Sequence, residues 1–175
     1  MSAPAANMER FVSLISSDAQ ALVRQSIRFL EDSDPLSQMS SSNDPLGTCL
    51  GLMDFVSIAL VWSNPSTSEL AQVLRDIGLR TELTIRGIGF CACNDPAVEE
   101  EHNSHHVGVA MQFLDTASTR VERPLDNVQL DVQSVCCDLQ AVAVLLALSS
   151  AAVIAERRAT APAKVIRTVR LALGR

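Results

Sequence analysis

Met53-Asp54-Phe55-Val56-Ser57-Ile58-Ala59-Leu60-Val61-Trp62 is the stretch whose conformation decides the fold. Val56, Ile58, Leu60 and Trp62 alternate with Ser57, Ala59 and Val61, which suits a strand buried on both faces. A buried helix has the same composition, and periodicity alone does not separate the two. Three later segments repeat the alternation. Leu83 and Ile85 alternate with Thr84 and Arg86 within 82–91. Val107, Val109, Met111 and Phe113 mark one face of 106–114. Val128, Leu130 and Val132 alternate strictly with Gln129, Asp131 and Gln133 within 127–133. Together with 53–62 they predict a small, mostly antiparallel sheet. The expected class is α+β, the sheet packed with one long apolar helix.

Helical signals flank this region. Phe11, Leu14, Ile15, Leu22, Ile27 and Leu30 recur at near-helical spacing over 8–31, with a break near Ser16-Ser17-Asp18 and Ser17 as the expected cap. Ser66-Thr67-Ser68-Glu69 is a capping box opening a helix whose apolar face is Leu70, Val73, Leu74 and Ile77, with Gly78 as its expected end. Residues 135–158 predict a long apolar helix and 163–173 a short amphipathic one. The Asp-Pro dipeptides at 34–35, 44–45 and 95–96 read as turns, which places a surface loop at 32–47 and a polar loop at 94–105.

Charge divides the chain unevenly. The net charge is −6, yet the last twenty residues carry Arg157, Arg158, Lys164, Arg167, Arg170 and Arg175 against Glu156 alone, leaving −11 on the rest. The organisation expected is one acidic domain, 1–158, followed by a basic amphipathic segment, 159–175. An acidic body repels phosphate backbones, so contact with RNA or an anionic membrane would run through that segment. Projected at 100° per residue, Val165, Ile166, Val169, Ala172 and Leu173 share one arc. Lys164, Arg167, Arg170 and Arg175 lie opposite, with Leu171 among them. No aromatic ring accompanies the arginines, which argues against base-stacking recognition of single strands. An acidic protein partner, including the acidic body of a second copy, fits equally well.

Cys91, Cys93, His102, His105 and His106 fall within sixteen residues and combine the thiolate and imidazole donors that Zn²⁺ takes tetrahedrally. Cys-x-Cys leaves little room for the usual knuckle turn, so exposed loop histidines beside two buried thiols are the plainer expectation. Nothing marks either cysteine as a nucleophile. Gly87-Ile88-Gly89 lacks the Lys-Ser/Thr and the following helix of a phosphate loop. Five cysteines, two of them adjacent, and no basic-then-apolar leader at residues 1–10 predict reduced thiols and a cytoplasmic or nuclear protein. The uncharged run Leu139–Ala155 is at the short limit for crossing a membrane and suits a buried core helix better.

The function expected from these features is non-enzymatic. The chain reads as a self-associating structural or adaptor protein, a homo-oligomer assembled through the long apolar helix. Its basic tail would contact RNA, lipid headgroups or an acidic partner. Small viral structural and accessory proteins share this economy, by analogy only. A zinc-stabilised regulatory protein is the alternative.

Overall fold

The computed structural model describes residues 3–32, 34–36, 44–88, 95–125 and 137–174. Seven helices account for most of them: α1 Ala3–Leu14, α2 Ser17–Glu31, α3 Pro45–Ser63, α4 Thr67–Ile88, α5 Pro96–Glu122, α6 Cys137–Arg157 and α7 Pro162–Ala172. No strand occurs among the described residues. The fold is all-α, and the expected α+β class is wrong.

The deciding stretch lies inside α3. Phe55, Val56, Ser57, Ile58 and Ala59 are all fully buried, so every side of this helix is covered. A helix surrounded on all sides has no polar face, and its sequence therefore carries no 3.6-residue rhythm. The apparent alternation of Val56, Ile58, Leu60 and Trp62 is an accident of a continuous apolar run. In α4 the buried residues are Val73, Ile77, Thr81 and Ile85, with Gly78 beside them, a stripe at four-residue intervals that continues through the segment expected to be a strand. In α5 they are Asn103, His106, Val109, Ala110, Phe113, Leu114, Ala117 and Arg120, again with helical spacing. The candidate strand at 127–133 lies outside the described residues.

Both expected loops contain helix starts. Asp44 accepts the Gly47 N–H at 3.0 Å and Pro45 occupies the first turn of α3. Asp95 likewise accepts the Ala97 N–H at 3.0 Å ahead of Pro96 in α5. The Asp carboxylate caps a free amide, and Pro loses nothing where no intrahelical N–H bond is made. Glu99 lies in the first turn of α5, where its charge complements the positive end of the helix dipole.

Elsewhere the local signals hold, with shifts. The break between α1 and α2 falls where expected, but the cap is Ser16, whose Oγ accepts the Ala19 N–H at 3.2 Å. The capping box is formed: Ser66 N–H donates to Glu69 Oε1 and Glu69 N–H donates to Ser66 Oγ, each at 3.3 Å. Gly78 does not end α4. It is buried, and a Cβ there would sit 3.2 Å from Met111 Sδ, so the glycine lets α4 and α5 approach closely. Ala161 caps α7 without a side-chain bond, and Pro162 takes the first turn.

Tertiary packing is organised around α3, which touches α1, α2, α5, α6 and α7. The second inner helix, α6, packs on α3, α4, α5 and α7, and α4 covers α5 and α6 from outside. By length and composition α3 and α6 would both span a membrane, yet 83% of each apolar window is buried inside the fold, as in core helices. The partners that α6 needs are therefore supplied by its own chain.

Candidate interaction surfaces

The basic segment does not project from the domain. Val165, Ile166, Val169 and Leu173 are buried, and α7 rests on α6, α2 and α3. Its arginines find partners on the acidic body. Arg170 Nη1 lies 2.7 Å from Glu31 Oε2 on α2. Arg157 Nη2 donates to Glu69 Oε2 at the start of α4. The Arg158 guanidinium sits 4.5 Å above the Trp62 ring, a cation–π contact. Arg24 on α2 donates to the Leu173 carbonyl at 2.9 Å, satisfying one of the open carbonyls at the end of α7. Lys164 and Arg167 are exposed and make no ion pair among the described residues. Arg175 lies outside them.

Glu69 is central to this arrangement. The Ser66 hydroxyl, then the Ser66 amide, then Arg157 hold its carboxyl below its usual pKa. A single side chain thus closes the cap of α4 and ties α4 to the end of α6.

The histidines of the expected metal cluster do not lie in a loop. His102, His105 and His106 all stand on α5, with His102 and His105 exposed and His106 buried on the core side. The His105 and His106 rings are tilted neighbours, 5.8 Å between centroids. Cys91 and Cys93 lie outside the described residues, and among those described no three His, Cys, Asp or Glu side chains gather as a metal site.

A buried ion pair has no counterpart in the sequence reading. Arg120 Nε lies 3.1 Å from Asp54 Oδ1 and its Nη2 lies 3.3 Å from Oδ2, with both side chains under 9% exposed. One turn away, Ser57 Oγ donates to the Ala117 carbonyl at 2.8 Å, so α3 and α5 are pinned twice. Burial raises the Asp54 pKa more than Arg120, by charge and hydrogen bond, lowers it. The signal available was an Asp in the middle of an apolar run, since a buried carboxylate needs a cationic partner.

Surface concavities lined by described residues include two that adjoin α4. One, of about 330 Å³, is lined chiefly by Phe11, Leu14, Leu60, Val61, Leu70 and Val121, with Asn7, Arg10 and Asn64 also on its wall. Among the described residues its lining contains no acid–base pair and no nucleophile. The other, of about 450 Å³, runs between α4 and α6 and is lined by Asp76, Leu79, Arg80, Leu83, Val153, Glu156 and Arg157. Leu79 is 54% and Leu83 is 73% exposed, one turn apart on the outer side of α4. Arg80 Nη2 bridges the groove to Glu156 at 2.7 Å. Sequence reasoning misses this face because the alternation at 82–91 assigns Leu83 to a strand. No family model, curated protein or solved structure matches the chain.

Proposed function

We propose that this protein is a non-enzymatic, self-associating helical module, acting as a structural or adaptor component through protein–protein contact. The observation that carries this reading is the pair Leu79 and Leu83, two large apolar side chains left in solvent one turn apart beside a groove. Adjacent exposed leucines rimmed by charges are characteristic of protein contact surfaces. The expected route of assembly, through residues 139–155, is replaced, because α6 is consumed in the core. In this reading the basic segment serves mainly to fasten α7 to the acidic body.

Among the described residues of α7, Lys164 and Arg167 are the cations without an ion pair, and these two would neutralise two phosphates. Any affinity for single-stranded RNA through α7 would then fall with salt at a logarithmic slope of only about −1.4. Contact with nucleic acid or anionic lipid is accordingly a minor part of the proposal. Light scattering and sedimentation across a concentration series test the main part. Mass should rise from one chain of 18.8 kDa toward a defined oligomer. A chain that stays monomeric up to about 0.5 mM, where even small interfaces are populated, would exclude self-association as its function.

A further inference from the structure

Resting on that reading, we infer that α4 is the seam of a two-fold dimer, packing antiparallel against α4 of a second copy with the dyad level with Thr81. Asp76, Leu79, Leu83 and Arg86 follow one another at intervals of three, four and three residues on the outer side of α4, opposite the buried Val73, Ile77, Thr81 and Ile85. That interval pattern is the one by which two helices interlock along a narrow stripe. Leu79 and Leu83 lie two residues either side of Thr81, and Asp76 and Arg86 lie five either side. A two-fold axis at Thr81 therefore sets leucine against leucine and, simultaneously, acid against base. A parallel pairing would set each charge against its like.

The side chains have capacity for these contacts. Arg86 uses Nε for Glu82 at 3.2 Å and Nη1 for Glu100 at 2.9 Å, which among the described residues leaves Nη2. Asp76 accepts from Gln72 through Oδ1 at 2.8 Å, which leaves Oδ2. Charge around the seam is balanced as well: Arg75, Arg80, Arg86 and Arg157 offset Asp76, Glu82, Glu100 and Glu156. A chain of net charge −6 thus presents to its copy a face with little self-repulsion. A dyad also closes the assembly, since both copies use the same surface and no sticky edge is left over.

The test compares wild type with Leu83→Arg, Asp76→Arg, Arg86→Asp and an equimolar mixture of the last two, by sedimentation equilibrium, with circular dichroism to check each fold. Leu83→Arg should raise the dimer dissociation constant at least about tenfold. Asp76→Arg and Arg86→Asp should each weaken their own homodimer. Their mixture should form a heterodimer within about threefold of wild-type affinity, because each repulsive pair becomes attractive across the two chains. Wild type that associates but ignores Leu83→Arg and Asp76→Arg would overturn the α4 seam and leave self-association standing. A mixture no tighter than either variant alone would overturn the antiparallel register. Wild type that never associates would overturn both the seam and the reading beneath it.

Discussion

Asp54 and Arg120 face each other inside the bundle, and removing either partner strands a charge. Asp54→Ala should cost about 3–5 kcal/mol, read by urea unfolding, whereas replacing both residues with leucine or methionine should cost far less. The pH dependence of this pair has a definite sign. Asp54 has a folded pKa above its unfolded one, so its stabilising contribution is present in full below about pH 4. That contribution is lost as pH rises through the folded value. Glu69 behaves oppositely: its folded pKa is depressed, so its contribution is present above about pH 4 and is lost as pH falls through the folded value. Acid should therefore fray the start of α4 before the interior loosens. Hydrogen exchange at the first-turn amides of α4 should show it, and Glu69→Gln should abolish the pH dependence there. The Ser66/Glu69 pair was legible in the sequence because a capping box is local. The Asp54–Arg120 pair was not, because 66 residues separate its members.

At the scale of elements, glycines and helix ends report how closely helices approach. A Cβ on Gly51 would meet Ser26 Oγ and lie 2.5 Å from the Leu22 carbonyl oxygen, where α3 crosses the α2 backbone. Gly51→Ala should destabilise by about 1–3 kcal/mol. Gly108 sits in mid-α5, where an added methyl group would meet nothing within 4 Å, and Gly108→Ala should stabilise by about 0.5–1 kcal/mol. Ala159 takes φ 51°, the left-handed conformation that ends α6, while the Thr160 N–H bonds the Ala155 carbonyl at 2.9 Å. Ala159→Gly should relieve about 1 kcal/mol, checked by thermal melting alongside the other two. Amphipathic helices such as α2 and α7 were readable from sequence because one face stays wet. The strand expected at 82–91 failed because its alternation pairs Leu83, on the wet side of α4, with Ile85, on the buried side.

For the molecule as a whole, the basic segment is part of the bundle. Deleting 162–175 would uncover apolar surface on α2, α3 and α6 now covered by Val165, Ile166, Val169 and Leu173. The truncated chain should lose several kcal/mol of stability and bind a hydrophobic dye, so truncation is a poor probe of binding. Lys164→Ala with Arg167→Ala should leave stability within about 0.5 kcal/mol, and it isolates the charges from the packing.

The charge asymmetry, the break near residue 16, the capped start of α4, the long apolar helix near the C-terminus and the amphipathic face of α7 can all be read from the order of residues alone. Each of these is a local pattern or a simple sum. Only the tertiary structure decided that Met53–Trp62 is a helix, because burial on every side erases the periodicity that would have announced it. Only the tertiary structure decided, too, that Arg157 and Arg170 meet Glu69 and Glu31 of the same chain, since an ion pair across 88 or 139 residues has no local signature. The outer face of α4 belongs to both. Its leucines and charges stand in the sequence, but which of them reach solvent depends on what α5 and α6 cover.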